Sequence, residues 1–163
     1  AGPSCTLTAA AALSAQNSRL RLLGNLRNLT QVQDVSSTAL VQHTASLIAL
    51  TYHPEEITLQ ALPNIHSILN YIISGAKKSP LPAVVLKSLL DVFNVVLPIA
   101  SSNSTLRSAY PRASGSQILT TSQQFTTVQA DLLQDLIGLI QSDAVVGENV
   151  FSITANGDIR VRL

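Results

Sequence analysis

Residues 83–100 read AVVLKSLLDVFNVVLPIA. The apolar side chains Val85, Leu86, Leu89, Leu90, Phe93, Val96 and Leu97 recur at steps of one, three and four, the period of one helix face. The window is apolar enough to raise the question of a membrane span. Lys87 and Asp91 argue against it, because two ionisable groups near a bilayer centre cost several kcal/mol, and Asn94 and Pro98 add to the case. The spacing predicts instead a buried helix of a soluble bundle. It starts near Leu81-Pro82 and is ended by Pro98 and the Ser101-Ser102-Asn103-Ser104 cluster.

Working outward, the preceding segment predicts a helix opening at Pro54, where Pro suits a first turn and Glu55 and Glu56 complement the positive end of the dipole. Its stripe is Ile57, Leu62, Ile65, Ile68, Leu69 and Ile72, with Pro63 predicting a kink or break and Ser74-Gly75 a stop. A second helix is expected from Ser36 to Leu50, with Asp34, Ser36 or Ser37 as cap and Ala39, Leu40, Leu47, Ile48 and Leu50 inward. Tyr52-His53-Pro54 ends it. The first helix is expected from Thr6 to Asn28, with Ala10, Leu13, Leu20, Leu23 and Leu26 as its stripe and Arg19, Arg21 and Arg27 beside it. Leu29-Thr30-Gln31 is read as its break.

Beyond Ser101 the chain turns polar and Ser-rich as far as Ser116, a loop of roughly fifteen to twenty residues. A fifth helix is expected from Ser122 to Gln141, with Phe125, Val128, Leu132, Leu136, Leu139 and Ile140 inward. Asp131 and Asp135 share one of its faces. The period then changes. Ala155-Asn156-Gly157-Asp158 separates Val150, Phe151 and Ile153 from a strict alternation of Ile159, Val161 and Leu163 with charged residues. Asn-Gly between such runs predicts a β-hairpin. The fold class expected is mainly α: about five antiparallel amphipathic helices over 1–148, then a hairpin over 149–163 that begins a larger sandwich.

The chain has 163 residues, 46% apolar and 12% charged, with a formal net charge of +1. Disorder by excess charge is excluded, and so is the basic footprint of a nucleic-acid binder. There is no Met and no Trp, so the core must be built from Leu, Ile, Val and Ala. The missing Met and the start at Ala1 predict a piece processed or excised from a longer protein.

Chemistry is sparse. His43, His53 and His66 have no ligand partners at helical spacing, apart from Glu55 and Glu56 beside His53, which serve a helix start. Neither a nucleophile elbow nor a phosphate-cradling glycine loop is present, and no cofactor motif appears. Cys5 has no second cysteine; it is read as a free thiol or as half of a disulfide to another segment. A thiol hydrolase built on Cys5 is a remote third reading. Asn28-Leu29-Thr30 and Asn103-Ser104-Thr105 make Asn28 and Asn103 candidate N-glycosylation sites of an extracellular protein.

The run Ser18 to Leu29, with Arg19, Leu23, Gly24, Leu26 and Leu29, resembles the opening of a helical region in polycystin-1-type ectodomains. Ala39 to Leu50, Pro54-Glu55-Glu56, Leu59-Gln60 and Leu86 to Ser102 are similar in order and spacing, so the resemblance spans residues 18–142. It implies the helical part of a GAIN-type region, as in egg-jelly receptors and adhesion receptors, where a β-sandwich with a self-cleavage motif follows. No His here is followed by Leu, so that motif is absent and no catalytic residue carries over. The resemblance implies a large membrane-anchored parent on the extracellular face of a plasma or ciliary membrane. Its expected partners are its own further domains, a polycystin-2-type channel subunit or extracellular matrix, with no nucleic acid and no membrane insertion of this segment. The rival reading is a free-standing secreted helical carrier of a lipid or other apolar ligand.

Overall fold

The computed structural model describes residues 8–101, 115–143, 152–154 and 160–162, with side chains over 8–99 and 128–142. Five α-helices run through the described residues: α1 Ala9–Val32, α2 Ser37–Thr51, α3 Leu62–Ala76, α4 Ala83–Ser101 and α5 Gly115–Asp143. The molecule is mainly helical. Two three-residue strands, β1 Ser152–Thr154 and β2 Arg160–Arg162, pair antiparallel with Ile153 opposite Val161. The residues read as their turn, 155–158, lie outside the described residues, as does Ile159.

Each early helix is capped as its sequence dictates. The Thr8 hydroxyl accepts from Ala11 N–H at 3.3 Å, and the Ser36 hydroxyl from Ala39 N–H at 3.2 Å. Thr44 and Thr51 are buried in α2, and their hydroxyls donate to the carbonyls of Leu40 and Leu47 at 2.8 and 2.9 Å. Two buried hydroxyls are thereby satisfied without leaving the helix.

Several expected boundaries are corrected. Leu29-Thr30-Gln31 does not break α1, because Thr30 turns inward and donates to the Arg27 carbonyl at 2.7 Å. The helix closes only when Gln33 N–H reaches Leu29 O at 3.1 Å. Pro54 opens a three-residue 3₁₀ turn, Pro54–Glu56, rather than α3. After a second such turn, Leu59–Ala61, α3 starts at Leu62, so Pro63 falls in the first turn, where its missing N–H costs nothing. The stop expected at Ser74-Gly75 falls within a residue of the end of α3 at Ala76, with Gly75 buried in the last turn. Pro98 does not end α4; it is exposed, and the helix continues to Ser101. α5 begins at Gly115, seven residues before the expected Ser122. No Pro follows Pro111, so nothing in the backbone opposes that early start.

α3 is the centre of the bundle. Leu62, Ile65, Ile68, Leu69, Ile72 and Ile73 are all fully buried. It packs on α1, α2 and α5, while α4 packs on α2 and α5 and α1 on α2. The other four helices thus form an open chain, α1–α2–α4–α5, whose two ends both lie against α3. Leu23, Leu40, Leu47, Leu89, Phe93, Val96 and Leu136 complete the core. Three expected core positions face out instead: Ala10 is exposed, and Leu13 and Val128 are 59% and 43% exposed. In α5 the inward row is Gln129, Leu132, Leu136 and Ile140, so the expected positions Leu132, Leu136 and Ile140 hold and Gln129 takes the place of Val128.

Candidate functional site

The side chains expected to carry chemistry are scattered by the fold. Asn28 stands exposed on α1, about one turn before its end, with Thr30 of the same sequon buried. Cys5 and Asn103 lie outside the described residues. His43 sits on the buried face of α2 and His66 on that of α3. His53 lies in the link after α2, where Nδ1 is 3.1 Å from Oε1 of Glu55.

The two adjacent glutamates part company. Glu56 accepts from Nε of Arg19 at 2.6 Å, and Nη1 of Arg19 also donates to Ala49 O at 3.1 Å. Glu55 turns to His53, and its backbone carbonyl accepts from the Gln16 amide at 3.1 Å. Its carboxyl is held below its ordinary value, first by a hydrogen bond from its own backbone N–H, then, against some desolvation, by His53 and Arg19. One edge of α1 is therefore bolted to the end of α2 and to the first 3₁₀ turn. Asp131 and Asp135 are both exposed, and Asp135 accepts from Nζ of Lys77 at 2.8 Å. That ion pair joins α3 to α5.

Burial lowers the proton affinity of His43 and His66 below the ordinary imidazole value. His43 packs edge-on against Tyr71, ring centroids 5.6 Å apart at 79°, and its Nε2 is buried without a hydrogen bond. The Tyr71 hydroxyl donates to Gln33 O at 3.3 Å, tying α3 to the α1–α2 link. Among the described residues no three His, Cys, Asp or Glu side chains come together to hold a metal ion.

Two surface hollows are notable. One, of about 330 Å³, lies between the end of α1 and α3 and is lined by Gln31, Ser67, Asn70, Tyr71, Ser74 and Lys78, among others. The other, of about 510 Å³, runs along α5 beside Lys77, Gln134, Asp135 and Gly138. Both offer hydrogen-bonding groups to a polar partner. No described helix is long and apolar enough to cross a membrane.

Sequence reasoning did not find the Arg19 bolt. Its partners lie 30 and 37 positions away, and no local pattern encodes such a contact. The buried Gln129 was missed because its apolar neighbour Val128 took its place in the periodic reading. Searches of protein-family models, curated proteins and solved structures find no match to this chain.

Proposed function

We propose that the chain is a non-enzymatic extracellular structural and contact module of a large, membrane-anchored, polycystin-1-like protein, serving adhesion or mechanical sensing. The observation that carries this reading is the order of elements. The stretches that resemble those ectodomains lie within helices: Ser18 to Leu29 in α1, Ala39 to Leu50 in α2, and Leu86 onward in α4. An antiparallel pair of strands then follows the bundle. A two-stranded ribbon is marginal alone, and its outer edges suit continuation by strands of a following β domain.

In this role the bundle transmits load through elements fixed to one another by Arg19–Glu56 and Lys77–Asp135. Asn28 and Asn103 would be acceptors for glycans, Asn28 in copies not paired through α1, and Cys5 would pair with a segment of the parent. The partners would be the parent's own domains, together with a polycystin-2-type channel subunit or matrix. Immunoblotting of surface-labelled cells with an antibody to this chain tests the reading. The expected product is a glycosidase-sensitive polypeptide far heavier than 17.3 kDa that co-purifies with the channel subunit. A secreted, self-contained polypeptide of that small mass would overturn it.

A further inference from the structure

α1 carries a second periodic row on the side turned away from the bundle. Ser18, Leu22, Asn25, Leu29 and Val32 follow at alternating steps of four and three, and all five are exposed. Leu22, Leu29 and Val32 are 49%, 52% and 82% exposed, while the inward face of the same helix is Leu23, Leu26 and Thr30. Alternation of three and four is the seam spacing of paired helices. One helix therefore presents an apolar row to its own core and a second row, apolar at three of its five positions, to solvent.

The charges beside this row select its occupant. α1 holds three arginines and no acidic residue. Arg19 is bound to Glu56, and Arg27 donates to Asn64 at 3.3 Å. Arg21 flanks the exposed row near one end, and Asp34 follows Val32 at the other. Both are exposed, and neither forms an ion pair with a described residue.

We infer that this face binds a second copy of the chain, α1 against α1, antiparallel about a two-fold axis near residue 27. In that register Leu22 meets Val32 of the other copy, Asn25 meets Leu29, and Arg21 comes beside Asp34. Each contact occurs twice, as two-fold symmetry requires. A parallel pairing would leave Arg21 and Asp34 at opposite ends of the seam, so the antiparallel arrangement is the one that brings the opposite charges together. Asn28 lies on the flank of the seam and meets its own copy across the axis. A glycan on Asn28 would fill the space of the facing residue, so glycosylation there and pairing exclude one another. One helix seam is a small interface, and the dissociation constant expected is about 10–100 µM.

Sedimentation of unglycosylated chain, made in a host without N-glycosylation, tests the pairing up to about 500 µM, well above that range. The expected result is a concentration-dependent rise from 17.3 kDa toward twice that mass. Leu22→Glu with Leu29→Glu should remain monomeric with unchanged helical circular dichroism. Arg21→Asp or Asp34→Arg alone should weaken association about three- to tenfold, and the two together should restore it. Asn28→Lys, which sets like charges face to face, should weaken it as well. A monomer at every concentration, a dimer indifferent to the two leucine changes, or a charge swap that fails to restore association would each overturn the proposal.

Discussion

Gln129 is 2% exposed in the inward row of α5, and its Nε2 has no hydrogen bond. An amide nitrogen stripped of water and left unpaired costs about 1–3 kcal/mol. Gln129→Leu should therefore stabilise the protein by about 1–2 kcal/mol, seen as a higher urea midpoint at unchanged slope. His43 and His66 act through their protonation. Their folded-state pKa values lie below the ordinary 6.5, so as pH falls below that value the unfolded chain takes up protons first. On their account stability is level above 6.5 and declines as pH falls through it toward the folded-state values. Urea midpoints should drop between about pH 6.5 and pH 5, and His43→Leu should remove part of that drop. An equal drop in the variant would mean that other groups cause it.

Glycine tests how helices meet. A Cβ on Gly75 would stand 2.7 Å from Cδ2 of Leu40 and 3.2 Å from Cγ1 of Val35. Leu40 is fully buried and has little room to yield. Gly75→Ala should cost about 1–3 kcal/mol, although alanine is the better helix former. At Gly138 an added Cβ meets nothing within 4 Å, so Gly138→Ala should gain about 0.5–1 kcal/mol. Thermal unfolding of the two variants should shift in opposite directions. At this same scale Arg19→Ala should destabilise by about 1–3 kcal/mol, because it deprives a half-buried Glu56 and the Ala49 carbonyl of their donor together.

Across the whole molecule, helix existence was legible in the sequence and helix bounds were less so. The stripes of α3 and α4 are dense enough that their period survives any local misreading. Boundaries failed where one residue type serves two purposes. Pro54 was read as opening α3 although it opens only a 3₁₀ turn, and Gly75 was read only as a stop although it also lets Leu40 approach. Val128 and Gln129 show the same limit in α5, since polarity hides an inward position when the neighbouring core decides the rotation. The candidate contacts were less legible still. Arg19 and Glu56 belong to different elements, and only the packing of α1 beside the 3₁₀ turn brings them together.

The isoleucines of α3 are screened from three directions by helices drawn from both ends of the sequence. A polypeptide truncated ahead of Leu132, or one starting after Leu26, would lay them bare to water and to neighbouring molecules. Such shortened forms should precipitate or be held by chaperones. The earliest and latest stretches of this bundle are thus bound to a common fate during synthesis: the middle of the chain stays adhesive until the last helix has left the ribosome.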